Sequence, residues 1–290
     1  MEHDKLIFDC HVNIWEEDHY LDLYYDQLGR VRQGELQQLA DADTLYAEME
    51  SVAKAIIFSP RYRYSAGVEG DDNVTAAAVE KYPDKFVGFA FVDPLRIDYM
   101  ESLRNSIEHL GLKGVKFGPI YSGVPLDDPR MTPVYTYCQQ NDIPITMHMG
   151  TTFATNAPLE LGRSIHVEPV ALQYPDLKIC LAHMGHPWFE ECIAVVRKQP
   201  NVYTEISALY YRPWQFYNIL VASQEYKIID KIFFGTDFPF TTVDESVEGL
   251  LNVNSLISGT RLPSVTEECI STILHSNPFN HWWHSPPVNL

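Results

Sequence analysis

Three histidines and an aspartate stand at the ends of short apolar runs: His11 in FDCHVN, His148 in TMHMG, His183 in LAHMGHPW and Asp237 in FFGTDFPF. Neutral imidazole nitrogen and ionised carboxylate are the donors a divalent transition metal takes, zinc or, alternatively, manganese. Any one of the four, taken alone, reads as a satisfied structural group. Four at such positions read as one cluster holding one divalent ion. Asn13 follows His11 by two residues, and side chains at i and i+2 of an extended strand share a side. Both can therefore enter the same site. A second histidine would be the stronger metal partner, because Asn offers only a neutral amide oxygen. A hydrogen bond from Asn13 to a loop or to substrate is the equal alternative. A buried carboxylate beside a metal can serve in turn as ligand and proton acceptor, the role expected of Asp237; capping the following helix is its alternative. His186 is expected at a helix start, with Pro187 at the first helical position.

Further candidates lie nearby. Lys116 and Tyr121, in GVKFGPIYSG, close a fourth apolar run. Lys116 reads as an ordinary polar group at the mouth of the site, ahead of a carboxylated bridge between two metal ions. Arg61 and Arg63, in SPRYRYS, suit a substrate carboxylate, since guanidinium pairs with it bidentately; solvated loop residues are the alternative. Tyr121 and Trp15 are expected to line the substrate site. Glu205 could line it too, but nothing local requires it. His275, His281 and His284, with Trp282 and Trp283, are expected to pack the last helix rather than bind metal.

These residues need elements that bring them together. Strand-like runs fall at 6–10, 53–59, 86–92, 112–117, 143–148, 177–182, 202–205 and 231–235. Helical patterns fill the gaps at 41–51, 73–81, 98–110, 133–140, 164–173, 187–199, 212–226 and 243–258. Strict alternation implies a parallel sheet with right-handed crossovers. Eight such units predict an α/β fold, a distorted (β/α)8 TIM-type barrel, whose strand carboxyl ends face the active site. An open doubly wound sheet competes, but no G-x-G-x-x-G follows the first strand. Residues 16–38, rich in tyrosine and acid, form a long first βα loop on the same face. The C-terminus adds a helical extension and a tail, HSPPVNL. One domain over 1–290 accounts for the length of 290 residues.

Composition excludes several classes. Lys plus Arg is 21 against 39 Asp plus Glu, a net charge of -18. Nucleic acid and anionic membrane surfaces need basic clusters, so neither is an expected partner. A small-molecule substrate, even an anionic one, remains open through a few arginines. No apolar run is long enough to span a membrane. Five cysteines without a C-x-x-C pair, and a charged start, MEHDKLIFD, predict reduced thiols and a cytoplasmic protein. A homo-oligomer, specifically a dimer, is expected.

In order, FDCHVN, TMHMG, LAHMGHPW and FFGTDFPF resemble the amidohydrolase superfamily, in particular its branch that includes aminocarboxymuconate-semialdehyde decarboxylase. The resemblance runs from Leu6 to about Trp283. It implies a distorted barrel with a mononuclear metal on His11, His148 and Asp237. The second histidine of the family's His-x-His pair falls on Asn13. The family's additional acid–base histidine falls on His183. The implied activity is metal-dependent hydrolysis of an amide, lactone or related bond in a small, carboxylate-bearing molecule. Asp237 would take a proton from water, and His183 would polarise the carbonyl. Non-oxidative decarboxylation of an aromatic or muconate-like acid is the alternative. A catalytically inactive binding protein, suggested by Asn13, is the third reading.

Overall fold

Alternating apolar runs build eight parallel strands: β1 (Phe8–Asn13), β2 (Lys54–Phe58), β3 (Phe86–Phe91), β4 (Gly114–Phe117), β5 (Ile145–Met147), β6 (Ile179–Leu181), β7 (Val202–Glu205) and β8 (Ile232–Phe233). The structure is a computed structural model and describes residues 6–30 and 39–283. Part of the first loop, 31–38, and the tail with His284 lie outside the described residues. Each strand pairs with the next in chain order, all parallel. This is the expected TIM-type barrel.

Closure is where the barrel is distorted. β8 is only two residues long, and the chain beyond it pairs with β1 instead of β7. Cys10 N–H donates to Phe234 O at 3.1 Å, Asp237 N–H to His11 O at 2.8 Å and Asn13 N–H to Phe238 O at 3.0 Å. These bonds carry β1 three residues past its expected end, so His11 and Asn13 sit within the strand. β1 also holds a bulge: it advances from Asp9 to Val12 while β2 advances from Ala55 to Ile57. One extra residue re-aims the side chains that follow. Asp9, fully buried, ties the bulge down, accepting from His11 N–H at 3.0 Å and from Thr236 N–H at 3.1 Å.

Strand side chains alternate between two cores. Val115, Phe117, Ile145, Met147, Ile179 and Leu181 cluster with helix residues such as Leu103, Val134 and Val196. The intervening positions turn inward. Cys10, Ile56, Val87, Phe89, Cys180, Tyr203 and Phe233 join Phe279, Trp282 and Trp283 of the C-terminal segment. The terminal tryptophans thus plug the barrel floor as well as packing the last helix. Phe89 lies across Gly114, where a Cβ would meet its ring at 2.4 Å. Gly114→Ala is therefore expected to destabilise the fold by about 1–3 kcal/mol through overpacking, read as a lower denaturant midpoint at unchanged slope.

Helix starts follow the sequence signals. Asp41 caps the helix Ala42–Glu48 by accepting from Thr44 N–H at 2.8 Å. Thr242 and Glu245 form a capping box on Val243–Leu251. The pattern expected to run to 258 breaks after Leu251 and resumes as a short turn at Ser255–Ile257. The described part of the first loop folds as a turn, Glu17–His19, and a helix, Asp22–Leu28. Its rings pack on Trp15, with Tyr20 at 4.8 Å and Tyr24 at 6.3 Å. No described helix is long and apolar enough to cross a membrane.

Candidate active site

The carboxyl ends of the strands open into one cavity of about 520 Å³. His11, Asn13, Lys116, His148, His183 and Asp237 converge there, with Trp15 and Tyr121 among the walls. Their backbone explains the convergence. His183, Ala208 and Asp237 have φ of 58°, 58° and 63°, each just past a strand end. Left-handed backbone is uncommon outside glycine, costs of order 1–3 kcal/mol and persists where the surroundings over-determine it. Here it turns the chain sharply enough to aim these residues into the barrel mouth.

Hydrogen-bond partners assign the imidazole tautomers. His11 Nδ1–H donates to the Glu205 carboxylate at 2.8 Å, so its Nε2 keeps the lone pair. His183 Nδ1–H has the Ser207 carbonyl at 3.2 Å and Ser207 Oγ at 2.7 Å, which leaves a lone pair on Nε2. His148 Nε2–H points to the Thr151 carbonyl at 3.1 Å and frees its Nδ1. That Nδ1 faces His183 Nε2 at 3.2 Å, so two lone pairs meet. Glu205 anchors this arrangement. It is fully buried and also accepts from His183 N–H at 2.9 Å, from Ser207 Oγ–H at 2.9 Å and from Ser207 N–H.

Deprotonated nitrogens aimed at a carboxylate are what a cation needs. One ligand atom from each of His11, His183 and Asp237 lies within 4.8 Å of the other two. His11 Nε2 and Asp237 Oδ1 are 3.3 Å apart. These three residues could hold a divalent metal ion. His148 adjoins the trio through His183. Asn13 turns its amide nitrogen to the site, donating to Asp237 Oδ1 and to Phe238 O, both at 2.9 Å. Lys116, 2% exposed, places Nζ 3.1 Å from His11 Nε2 and 4.5 Å from the centre of the Phe58 ring. Burial brings its ammonium down to about 8.

Burial also pushes the histidines down: His148 to about 3, His11 and His183 well below the ordinary range. Below about pH 6.5 the unfolded imidazoles take up protons while the buried ones stay neutral, so stability is lost as pH falls. Each histidine contributes about 1.4 kcal/mol per pH unit in that window. Asp9 acts oppositely, because burial raises its carboxyl to about 7 and makes the folded state the better proton binder above about pH 4. His186 and His281, also lowered by burial, act with those three histidines, while Asp72 and Glu48, raised by burial, act with Asp9. The imidazoles outnumber the carboxyls, and chemical denaturation between pH 7 and 4.5 is expected to show falling stability. A flat or rising profile would contradict the neutral tautomers.

Arg61 and Arg63 are not brought to this cavity. A two-stranded antiparallel ribbon, Arg61–Tyr62 with Val68–Glu69, turns them aside. Arg61 donates to Gly70 O at 2.7 Å and pairs with Asp71 and Asp72, and Arg63 pairs with Glu69. Both line a smaller cavity of about 190 Å³, which shares the stacked rings of Tyr62 and Tyr121 with the main one. The arginine on the wall of the main cavity is instead Arg212, which donates to Ala208 O at 2.7 Å. Its sequence signal was slight: an arginine before proline at a helix start, just beyond β7. Glu205 carried a clearer one, an acid ending a buried strand. His186 is buried at the cavity wall, just before the helix Phe189–Lys198.

Comparisons with known proteins agree with the barrel fold. The chain is 26% identical over 127 residues to 2-amino-3-carboxymuconate-6-semialdehyde decarboxylase of Dictyostelium discoideum, a match spanning 38% of this chain and 35% of that protein. Solved structures share the fold. An uncharacterized TIM-barrel protein, Bb4693 of Bordetella bronchiseptica, is 22% identical over 94% of this chain and 96% of its own, with a TM-score of 0.75. A probable 2-pyrone-4,6-dicarboxylic acid hydrolase of Acinetobacter baumannii, with citric acid bound, is 14% identical over 95% and 98%, with a TM-score of 0.67. A dihydroxybenzoic acid decarboxylase of Polaromonas sp. JS666, with bound manganese and the inhibitor 2-nitroresorcinol, is 18% identical over 96% and 97%, with a TM-score of 0.66. The family model described as Amidohydrolase matches residues 8–279, from the first barrel strand to the aromatic floor plug, and the chain belongs to that family.

Proposed function

We propose that this protein is a metal-dependent hydrolase that opens an amide, lactone or related bond in a small, carboxylate-bearing molecule. The observation that carries the reading is the gathering of His11, His183 and Asp237, each with a ligand atom within 4.8 Å of the others, with the His11 Nε2 lone pair 3.3 Å from Asp237 Oδ1. His11, His183 and Asp237 would hold the ion, with His148 as a further donor. A bound divalent ion supplies Lewis acidity, polarising the scissile carbonyl and acidifying water.

The chain's own groups divide the remaining work. Asp237 accepts the proton of the attacking water and returns it to the leaving group. His183, with Nδ1–H held by Ser207, is fixed in the tautomer that leaves its Nε2 unprotonated for the ion. Lys116 is the N–H donor beside them, suited to an oxygen that gains negative charge. Arg212 is placed to take the substrate carboxylate with the guanidinium N–H groups not spent on Ala208 O.

A second reading, decarboxylation of an aromatic or muconate-like acid, is favoured by the walls. Trp15, Tyr24, Tyr62, Tyr121, Phe153 and Phe240 line the cavity, which suits a flat unsaturated substrate. The test is a panel of lactones, amides and unsaturated acids incubated in water enriched in heavy oxygen. Heavy oxygen in the product supports hydrolysis. Released carbon dioxide with no label in the organic product transfers the function to decarboxylation. Tight binding with neither product would leave a binding protein and overturn both.

A further inference from the structure

Two of the three ligand atoms already have partners within the chain. His11 Nδ1–H is committed to Glu205, so the Nε2 lone pair that a metal would use is the one Lys116 Nζ reaches at 3.1 Å. Asp237 Oδ1, the other metal-facing atom, accepts from Asn13 Nδ2 at 2.9 Å. The second contact of Asn13, to the Phe238 carbonyl, identifies its nitrogen as the atom turned this way. Where a histidine at position 13 would bring another lone pair, Asn13 brings an N–H. Lys116 is held in place by burial and by the Phe58 ring.

We propose that Lys116 and Asn13 together form a built-in stand-in for a cation, capping His11 Nε2 and Asp237 Oδ1, and that a divalent ion binds only by displacing both contacts. Metal binding to this chain is then weak and exchangeable, and the two caps set its affinity. One lone pair cannot accept an ammonium N–H and coordinate an ion at once. An ion beside an undisplaced ammonium would also meet like-charge repulsion in a poorly screened interior. The inference rests on His11, His183 and Asp237 being the ligands.

The test is titration of the metal-stripped protein with zinc and manganese salts, read by bound metal per chain and by the metal-induced rise in melting temperature. Lys116→Met is expected to tighten binding by about tenfold or more, and Lys116→Gln to follow it. Asn13→Ala, which removes a cap without adding a ligand, is expected to tighten it as well. Equal or weaker binding in the folded Lys116 variants overturns the proposal. Weaker binding in Asn13→Ala overturns it too, because Asn13 would then be a ligand. Should both Lys116 variants fail to fold, Asn13→Ala decides alone. Binding that ignores the caps but is lost in Asp237→Ala sinks this inference and leaves the ligand reading standing. No binding by wild type or any variant overturns both.

Discussion

Asp237→Asn is expected to lower turnover about 10²- to 10⁴-fold while leaving the fold intact. The change removes both the capacity to carry a proton away from water and the negative charge that makes the side chain a strong metal donor. The backbone at 237, with φ of 63°, is one that Asn adopts as readily as Asp. The main-chain bonds from Asp237 N–H to His11 O and from Phe240 N–H to Asp237 O, both 2.8 Å, are indifferent to the substitution. An amide oxygen can still accept from Asn13. Steady-state kinetics on any substrate found in the heavy-oxygen panel, beside a thermal melt, is the measurement. Retention of more than a tenth of the wild-type rate in a normally folded variant would move the proton acceptor elsewhere.

Glu205→Gln is expected to be more disruptive, although Glu205 is not placed to touch substrate. Its carboxylate accepts from His11 Nδ1–H, His183 N–H, Ser207 N–H and Ser207 Oγ–H. A glutamine offers one acceptor oxygen and an amide that donates. At least one of these donors would therefore face another donor in a fully buried place. Each buried group left unpaired costs about 1–3 kcal/mol. The expected loss is about 3 kcal/mol of stability, with a 10- to 100-fold drop in metal affinity as His11 loses the acceptor that fixes its tautomer. Denaturant unfolding and metal titration read the two effects separately. Wild-type values in both would mean that the tautomers are held by something other than Glu205.

The site was legible in the sequence wherever a residue's position follows from the strand it ends. His11, His148, His183 and Asp237 each follow an apolar run, and a parallel barrel gathers the ends of its strands at one face. The pairing of His11 with Asn13 followed from the two-residue period of a strand. What lay beyond was a matter of direction. Arg61 and Arg63 occupy the expected loop, but a two-residue ribbon gives their guanidiniums to Gly70, Asp71, Asp72 and Glu69. Arg212, far along the chain, takes the wall of the cavity.

The sequence alone determined the architecture and the strand-end histidines and aspartate at its mouth, because hydrophobic period and strand-end chemistry are local properties read along the chain. Only the tertiary structure decided which proton sits where. Glu205, Ser207 and Thr151 assign the tautomers of His11, His183 and His148. Lys116 and Asn13 cap the atoms those tautomers leave open. Those contacts join residues up to 224 positions apart, and their geometry comes from barrel closure: β1 bulges at its centre and takes its last hydrogen bonds from the turn that follows β8. No local pattern encodes where two strands from opposite ends of a chain will meet.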